Sequence, residues 1–289
     1  MLAPSAARAR EFLAPRHRFS IDRRPAAATA LRSFSSSSDS ENWPKFVHGP
    51  NFIRGLWNRT VPRLPKLLEW QEKNVFADSL GTTGQCWQFI QLQQPQKTSV
   101  DLLEFVEGAR IATEEYLWAM NSAAFAEFLA GKENSSSDMA NVLQQYTTPA
   151  YYNEIALQVK KSYLQRNFHM ECEGLVVENA KLTRVVYRRL TEKEYEDLVA
   201  FKKPPKAMSL EATIEHLRLH VDVQTVENLN IVHRDKTVYV QQENVYQVVF
   251  ESRVTDPEDI DWRIESMNIV EQDAVEREPK EATKDDKTE

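Results

Sequence analysis

The sequence predicts an α+β domain in which helices come first and an antiparallel sheet follows. Between residues 99 and 165, apolar side chains recur at three- and four-residue spacings, the period of a helix face. After Gln165 the period changes, and EHLRLHVDVQTVEN alternates apolar and polar side chains. No internal repeat divides the chain, so residues 99–272 are expected to fold as a single domain around one core.

The N-terminal 38 residues hold seven arginines, no lysine and only Glu11 and Asp22 as acids, a net charge of +5. The rest is alanine, serine and small apolar residues, which is the composition of a mitochondrial transit peptide. The arginines leave no unbroken apolar run for a secretory signal. Arg32, Phe34 and Ser35 resemble the site read by the mitochondrial processing peptidase. Residues 1–34 are therefore expected to be removed, with cleavage after Phe34.

Residues 35–98 read as a linker with one distinctive part. KFVHGPNFIRGLWNRTVPRLPKLLEWQEK carries a net charge of +4, and its cations interleave with Phe52, Ile53, Leu56, Trp57, Val61 and Leu64. Ile53, Leu56, Trp57 and Thr60 suit one helical face, and Pro62 and Pro65 are expected to interrupt it. A basic, tryptophan-bearing amphipathic segment on an acidic protein suits an anionic membrane surface. Lys45, Arg54, Trp57, Arg59, Arg63 and Lys66 are its candidate contacts. Residues 78–98, with GTTGQ and QLQQPQ, read as a polar connector.

The domain proper is expected from Ser99, with Thr98 or Ser99 as helix cap and Asp101 in the first turn. Leu102, Phe105, Val106, Ala109, Ala112, Tyr116, Leu117 and Met120 form one apolar stripe. Shorter helices are expected over Ser122–Ala130 and Met139–Gln145, the latter capped by Asp138. A longer one runs over Pro149–Gln165, with proline at its start. EGLVVENAKLTRVVYRRL reads as a strand, and TEKEYEDLVAFKKPPK as a charged helical insert or loop. EHLRLHVDVQTVEN, Glu215–Asn228, reads as a half-buried strand with Leu217, Leu219, Val221 and Val223 inward. KTVYVQQENVYQVVFESRV gives one strand or two parted at Gln242–Asn244, and DIDWRIESMNIVEQ closes the set. Residues 273–289 read as a disordered charged tail.

Composition excludes several functions. Beyond residue 38 the net charge is near −12, which argues against binding through nucleic-acid phosphates, and no direct DNA binding is expected. Cys86 and Cys172 are the only cysteines and lack metal spacing. Seven glycines, none after Gly174, leave no phosphate-cradling loop and no nucleophile elbow. No cofactor and no metal are expected. His216, His220 and Asp222 share one strand face and offer an acid and a base. Alternation alone places them there, so the expected state is a solvated polar face, and a catalytic role for His220 and Asp222 is the weaker alternative.

The order of elements resembles a known family. LLEFVEGARIATEEYLWAMNSAAFAEFLAG, with Phe105, Gly108, Ala109 and Ala112, is similar to the opening of the domain shared by translocase of the inner membrane subunit 44 and its relatives. The closing strand with Trp262 and Ile264 is similar to the family's last strand. The resemblance implies a cone of the nuclear transport factor 2 type, with helices over a curved antiparallel sheet. It also implies an apolar pocket lined by Phe105, Tyr116, Leu217, Leu219, Val221 and Trp262. The layout, with NFIRGLWNR ahead of the domain, is most similar to members that associate with the matrix AAA peptidase. The implied function is non-enzymatic: a mitochondrial matrix protein, peripheral on the inner membrane, that binds a AAA protease or import translocase assembly and anionic lipid such as cardiolipin. A mitochondrial large-ribosomal-subunit protein that tethers the ribosome to that membrane is the alternative the family offers.

Overall fold

In a computed structural model of the chain, which describes residues 50–132, 136–199, 212–234 and 236–277, the helices precede the sheet as expected. They are α1 (Pro50–Thr60), α2 (Leu64–Glu72), α3 (Gly81–Leu92), α4 (Leu102–Met120), α5 (Ala123–Ala130), α6 (Asp138–Tyr146) and α7 (Pro149–Arg166). The strands are β1 (Phe168–Leu190), β2 (Ile214–His233), β3 (Lys236–Arg253) and β4 (Arg263–Glu276), with α8 (Glu192–Val199) between β1 and β2. The residues expected around the processing site, Arg32, Phe34 and Ser35, lie outside the described residues, as does Lys45.

Local chemistry sets the helix ends. Asp101, rather than Thr98 or Ser99, caps α4, its carboxylate accepting the Leu103 N–H. Thr98 instead donates its hydroxyl to the Val254 carbonyl at 2.8 Å. Ser122 caps α5, and Gly131 ends it at φ 76°, a left-handed position that favours glycine. Thr148 caps α7, and Pro149 fills the first-turn site where its missing N–H leaves nothing unpaired. Asp138 opens α6 as its first residue, with Ser137 in the cap position and no side-chain cap bond.

The four strands pair antiparallel in the order β1-β2-β3-β4. Gln242–Asn244 pair continuously with β2, so β3 is one strand. Bulges fall between Cys172 and Gly174, Val177 and Asn179, and Leu182 and Arg184 in β1, and two more separate β3 from strict register with β4. Each bulge bends its strand and shifts which side chains face the helices.

The inner sheet face carries Leu217, Leu219, Val221 and Val223, all fully buried. α4, α6 and α7 cover that face, and Phe105, Tyr116, Leu117, Leu143, Tyr151 and Ile155 join it in one core. Further along the face the core turns polar. Glu227, 1 % exposed, accepts on one carboxylate oxygen from Tyr246 (2.6 Å), Asn244 (2.7 Å) and Thr225 (2.9 Å).

Two boundaries differ from expectation. The linker expected over 35–98 is largely part of the fold: Leu67, Trp70, Val75, Phe76, Phe89 and Leu92 belong to the main core. Trp70 lies edge-on to Phe89 with ring centres 5.7 Å apart. The Val75–Ala77 stretch pairs with the outer edge of β1 at Leu182, through Leu182 N–H to Val75 O and Ala77 N–H to Leu182 O. The polar connector expected at 78–98 contains helix α3. It buries Phe89 and Leu92, and Gln88 accepts the Val185 N–H at 2.7 Å, satisfying an edge donor of β1. At the other end, residues 273–276 belong to β4 rather than to a tail, and Val240 pairs with Glu276. One side of that segment completes the sheet, which overrides its polar composition.

Candidate functional site

The segment from α1 to α2 is a helical strap. As expected, the first α-helix stops at Thr60 ahead of Pro62 and Pro65, but the helical path goes on. Each occupies a first-turn position, Pro62 in a short 3-10 turn (Val61–Arg63) and Pro65 in α2, so the path tightens and continues. On one side Leu67 and Trp70 anchor it to the core. On the other, Trp57 is 68 %, Val61 39 %, Leu64 44 % and Leu68 61 % exposed. Their spacings of four, three and four residues set them along one line of the helical path.

The cations expected to face lipid divide into two groups. Arg59 donates to the carbonyls of Gln93 (3.1 Å) and Gln94 (3.3 Å), and Arg63 donates to the Gln93 side chain at 2.7 Å. These contacts satisfy carbonyls at the C-terminus of α3, where the helix dipole favours positive charge. Lys66 pairs with Asp101 at 2.9 Å, and its hydrogen bond pulls the Asp101 carboxyl below its ordinary range. Arg59, Arg63 and Lys66 therefore tie the strap to the body. Arg54 is exposed and makes no ion pair among the described residues.

The pocket-lining residues are core instead. Phe105 packs edge-on to Phe250 at 5.6 Å and to Trp262 at 4.8 Å between ring centres. Tyr116 stacks on Tyr151 and shares a 3.0 Å hydroxyl contact with it. Leu217, Leu219 and Val221 have no exposed surface. These contacts place Phe105, Tyr116, Leu217, Leu219 and Val221 in the main core, with Trp262 packed against it.

A recess of about 260 Å³ lies on the opposite, outer face of the sheet, between the Ala77–Ser79 turn and Asn179, Lys181, Asp222 and Gln224. The polar face expected to be solvated is half-buried here. His216 is fully buried, 3.2 Å from the Glu251 carboxylate and edge-on to the Tyr195 ring of α8. Arg218 bonds Glu265, whose carboxyl burial pushes above its ordinary range. Burial, with Arg218, Arg184 and Arg188 nearby, pushes the His220 imidazole down to about 4. Burial raises the Asp222 carboxyl, and its Oδ1 has no hydrogen-bond partner among the described residues. His220 and Asp222 thus share a face with the recess, which reaches Asp222 but is not lined by His220.

Alternation along the histidine strand identified this face but not its arginine neighbours. Arg184 and Arg188 of β1 come opposite His220 and His216 only through the bulge at Thr183, which no periodicity in KLTRVVYRRL announces. No helix of the described residues is long and apolar enough to cross a membrane. Compared with known proteins, the chain matches no family model and no curated protein.

Proposed function

We propose that the chain is a non-enzymatic docking protein of the mitochondrial matrix, peripheral on the inner membrane. In this reading the strap rests the line Trp57–Val61–Leu64–Leu68 in an anionic lipid surface containing cardiolipin. The helix-and-sheet body, a cone of the nuclear transport factor 2 type, engages an inner-membrane assembly such as a AAA protease or a protein translocase. The observation that supports it is the exposed apolar line on a strap whose other side is anchored by Leu67 and Trp70. Each such side chain leaving water contributes about 1–3 kcal/mol, so four of them suffice for reversible binding without a spanning helix. With Arg59, Arg63 and Lys66 engaged internally, the apolar line carries most of the affinity and Arg54 adds a modest electrostatic share.

Flotation with cardiolipin-containing vesicles at low salt tests the reading. The wild-type chain floats, and the W57S/L68S variant floats at least about tenfold more weakly while its melting temperature is unchanged, because both side chains are exposed. Wild-type protein that stays in solution, or a variant that floats equally well, overturns it.

A further inference from the structure

The outer face of the sheet brings three arginines together, Arg184, Arg188 and Arg218, of which only Arg218 has an ion-pair partner among the described residues. Leu182 faces the helices opposite Val221, and simple alternation would turn Arg184 inward beside it. The register shift between Leu182 and Arg184 prevents this: Arg184 comes opposite His220, Val186 opposite Arg218, and Arg188 opposite His216. The Thr183 hydroxyl donates to the His220 carbonyl at 3.1 Å, fixing the bulge against β2. Bulges that re-aim a side chain recur beside binding sites.

Arg218 is held in place by Glu265, at 2.6 Å through Nε. Arg184 and Arg188 make no hydrogen bond or ion pair among the described residues. Arg188 is half-buried, and burial together with Arg218 and Arg184 lowers its pKa, offset in part by Glu265. A half-buried guanidinium with like charges on two sides and no ion-pair partner of its own among the described residues gains when an anion joins it. The acids on this face are already engaged or lie to the side. Glu251 faces His216, Glu265 bonds Arg218, and Asp222 stands opposite Lys181.

We propose that Arg184, Arg188 and Arg218, with His220 among them, bind the phosphoryl group of a small phosphorylated molecule on the outer face of the sheet. Diagonal cross-strand neighbours lie about 7–8 Å apart, within reach of arginine side chains that converge on one tetrahedral oxyanion. The neutral His220 ring supplies one N–H to the oxyanion. The recess opens two residue pairs further along, at Lys181 and Asp222. Asn179, Gln224 and Ser79 there offer amide and hydroxyl groups to the rest of the molecule. This site is separate from the exposed line of the strap and does not depend on the membrane reading.

Inorganic pyrophosphate titrated into the full chain is the probe, and the His220 ring resonance in NMR spectra is the readout. Binding moves that resonance and raises the His220 pKa from about 4 toward its ordinary value of 6.5. R184Q and R188Q each weaken pyrophosphate binding about tenfold or more with unchanged melting temperature, whereas R166Q, on the exposed end of α7, does not. The W57S/L68S chain binds pyrophosphate like wild type, which separates this site from the strap. With that same chain, vesicles containing phosphatidic acid decide the source of the phosphoryl group. Flotation that R184Q/R188Q abolishes assigns it to a lipid headgroup, and absence of flotation assigns it to a soluble molecule. A His220 resonance indifferent to pyrophosphate, or binding that survives in the R184Q/R188Q double variant, overturns the proposal.

Discussion

His220 and Glu227 lie on opposite faces of β2 and show how a single ionisable side chain responds to its surroundings. In the unfolded chain His220 takes up a proton near pH 6.5, but in the fold it does so only at about 4. Between those values the unfolded state binds more protons, so stability falls as pH drops through that window and is fully present above it. The lost contribution is at most about 3 kcal/mol. Asp222 and Glu265, both raised by burial, act with the opposite sign, because the fold then retains protons that the unfolded chain releases. Comparing H220Q with wild type by denaturant titration between pH 4 and pH 7 isolates the histidine. The expected outcome is that the stability difference between wild type and H220Q becomes less favourable to wild type as pH falls. Glu227 is a structural counterpart. Replacing it with alanine removes the acceptor shared by the Tyr246 hydroxyl, the Asn244 amide and the Thr225 hydroxyl in the core. A loss of about 2–4 kcal/mol is expected from E227A in equilibrium unfolding.

At the scale of elements, the sequence is most legible where one signal dominates. Leu217, Leu219, Val221 and Val223 alternate without interruption, and β2 buries all four. The stripe from Leu102 to Met120 gives α4 in the same way. The reading misses α3 because Gly81, Thr82, Thr83 and Gly84 carry little helix propensity and its glutamines add no apolar pattern. Burial of Phe89 and Leu92 and the edge bond from Gln88 decide its structure, and these are tertiary effects. The arginine cluster was illegible for a related reason: a bulge is a property of the pair of strands rather than of one. Deleting Thr183 should therefore leave β1 in plain alternation, with Leu182 still opposite Val221 and Arg184 still opposite His220 on the outer face. The stability change on denaturant unfolding is then small, about 1 kcal/mol for the lost hydroxyl bond to His220 O, against roughly 0.5 kcal/mol or less for a T183S control that keeps that bond.

Considered as a whole, the molecule has a strap that belongs to the fold by one side only, and this sets where the chain can be shortened. The core contribution of the strap begins at Leu67, followed by Trp70, Val75 and Phe76. Upstream of residue 64, the described attachments are the contacts of Arg59 and Arg63 with Gln93 and Gln94, polar and partly exposed. A chain beginning at residue 64 should fold with a loss of no more than about 1–2 kcal/mol, since three hydrogen bonds of that kind contribute little each. It retains Leu64 and Leu68 but lacks Trp57 and Val61, so vesicle binding should fall sharply while the body persists. A chain beginning at residue 78 lacks Trp70 and Phe76 and leaves the Leu182 N–H of β1 without its Val75 partner. Removing two fully buried aromatics costs on the order of 3–5 kcal/mol each, comparable with the whole stability of an ordinary domain. This second chain should fail to give a cooperative thermal transition by circular dichroism. If it melts as sharply as the first, residues 64–77 are an appendage, and the body is complete without them.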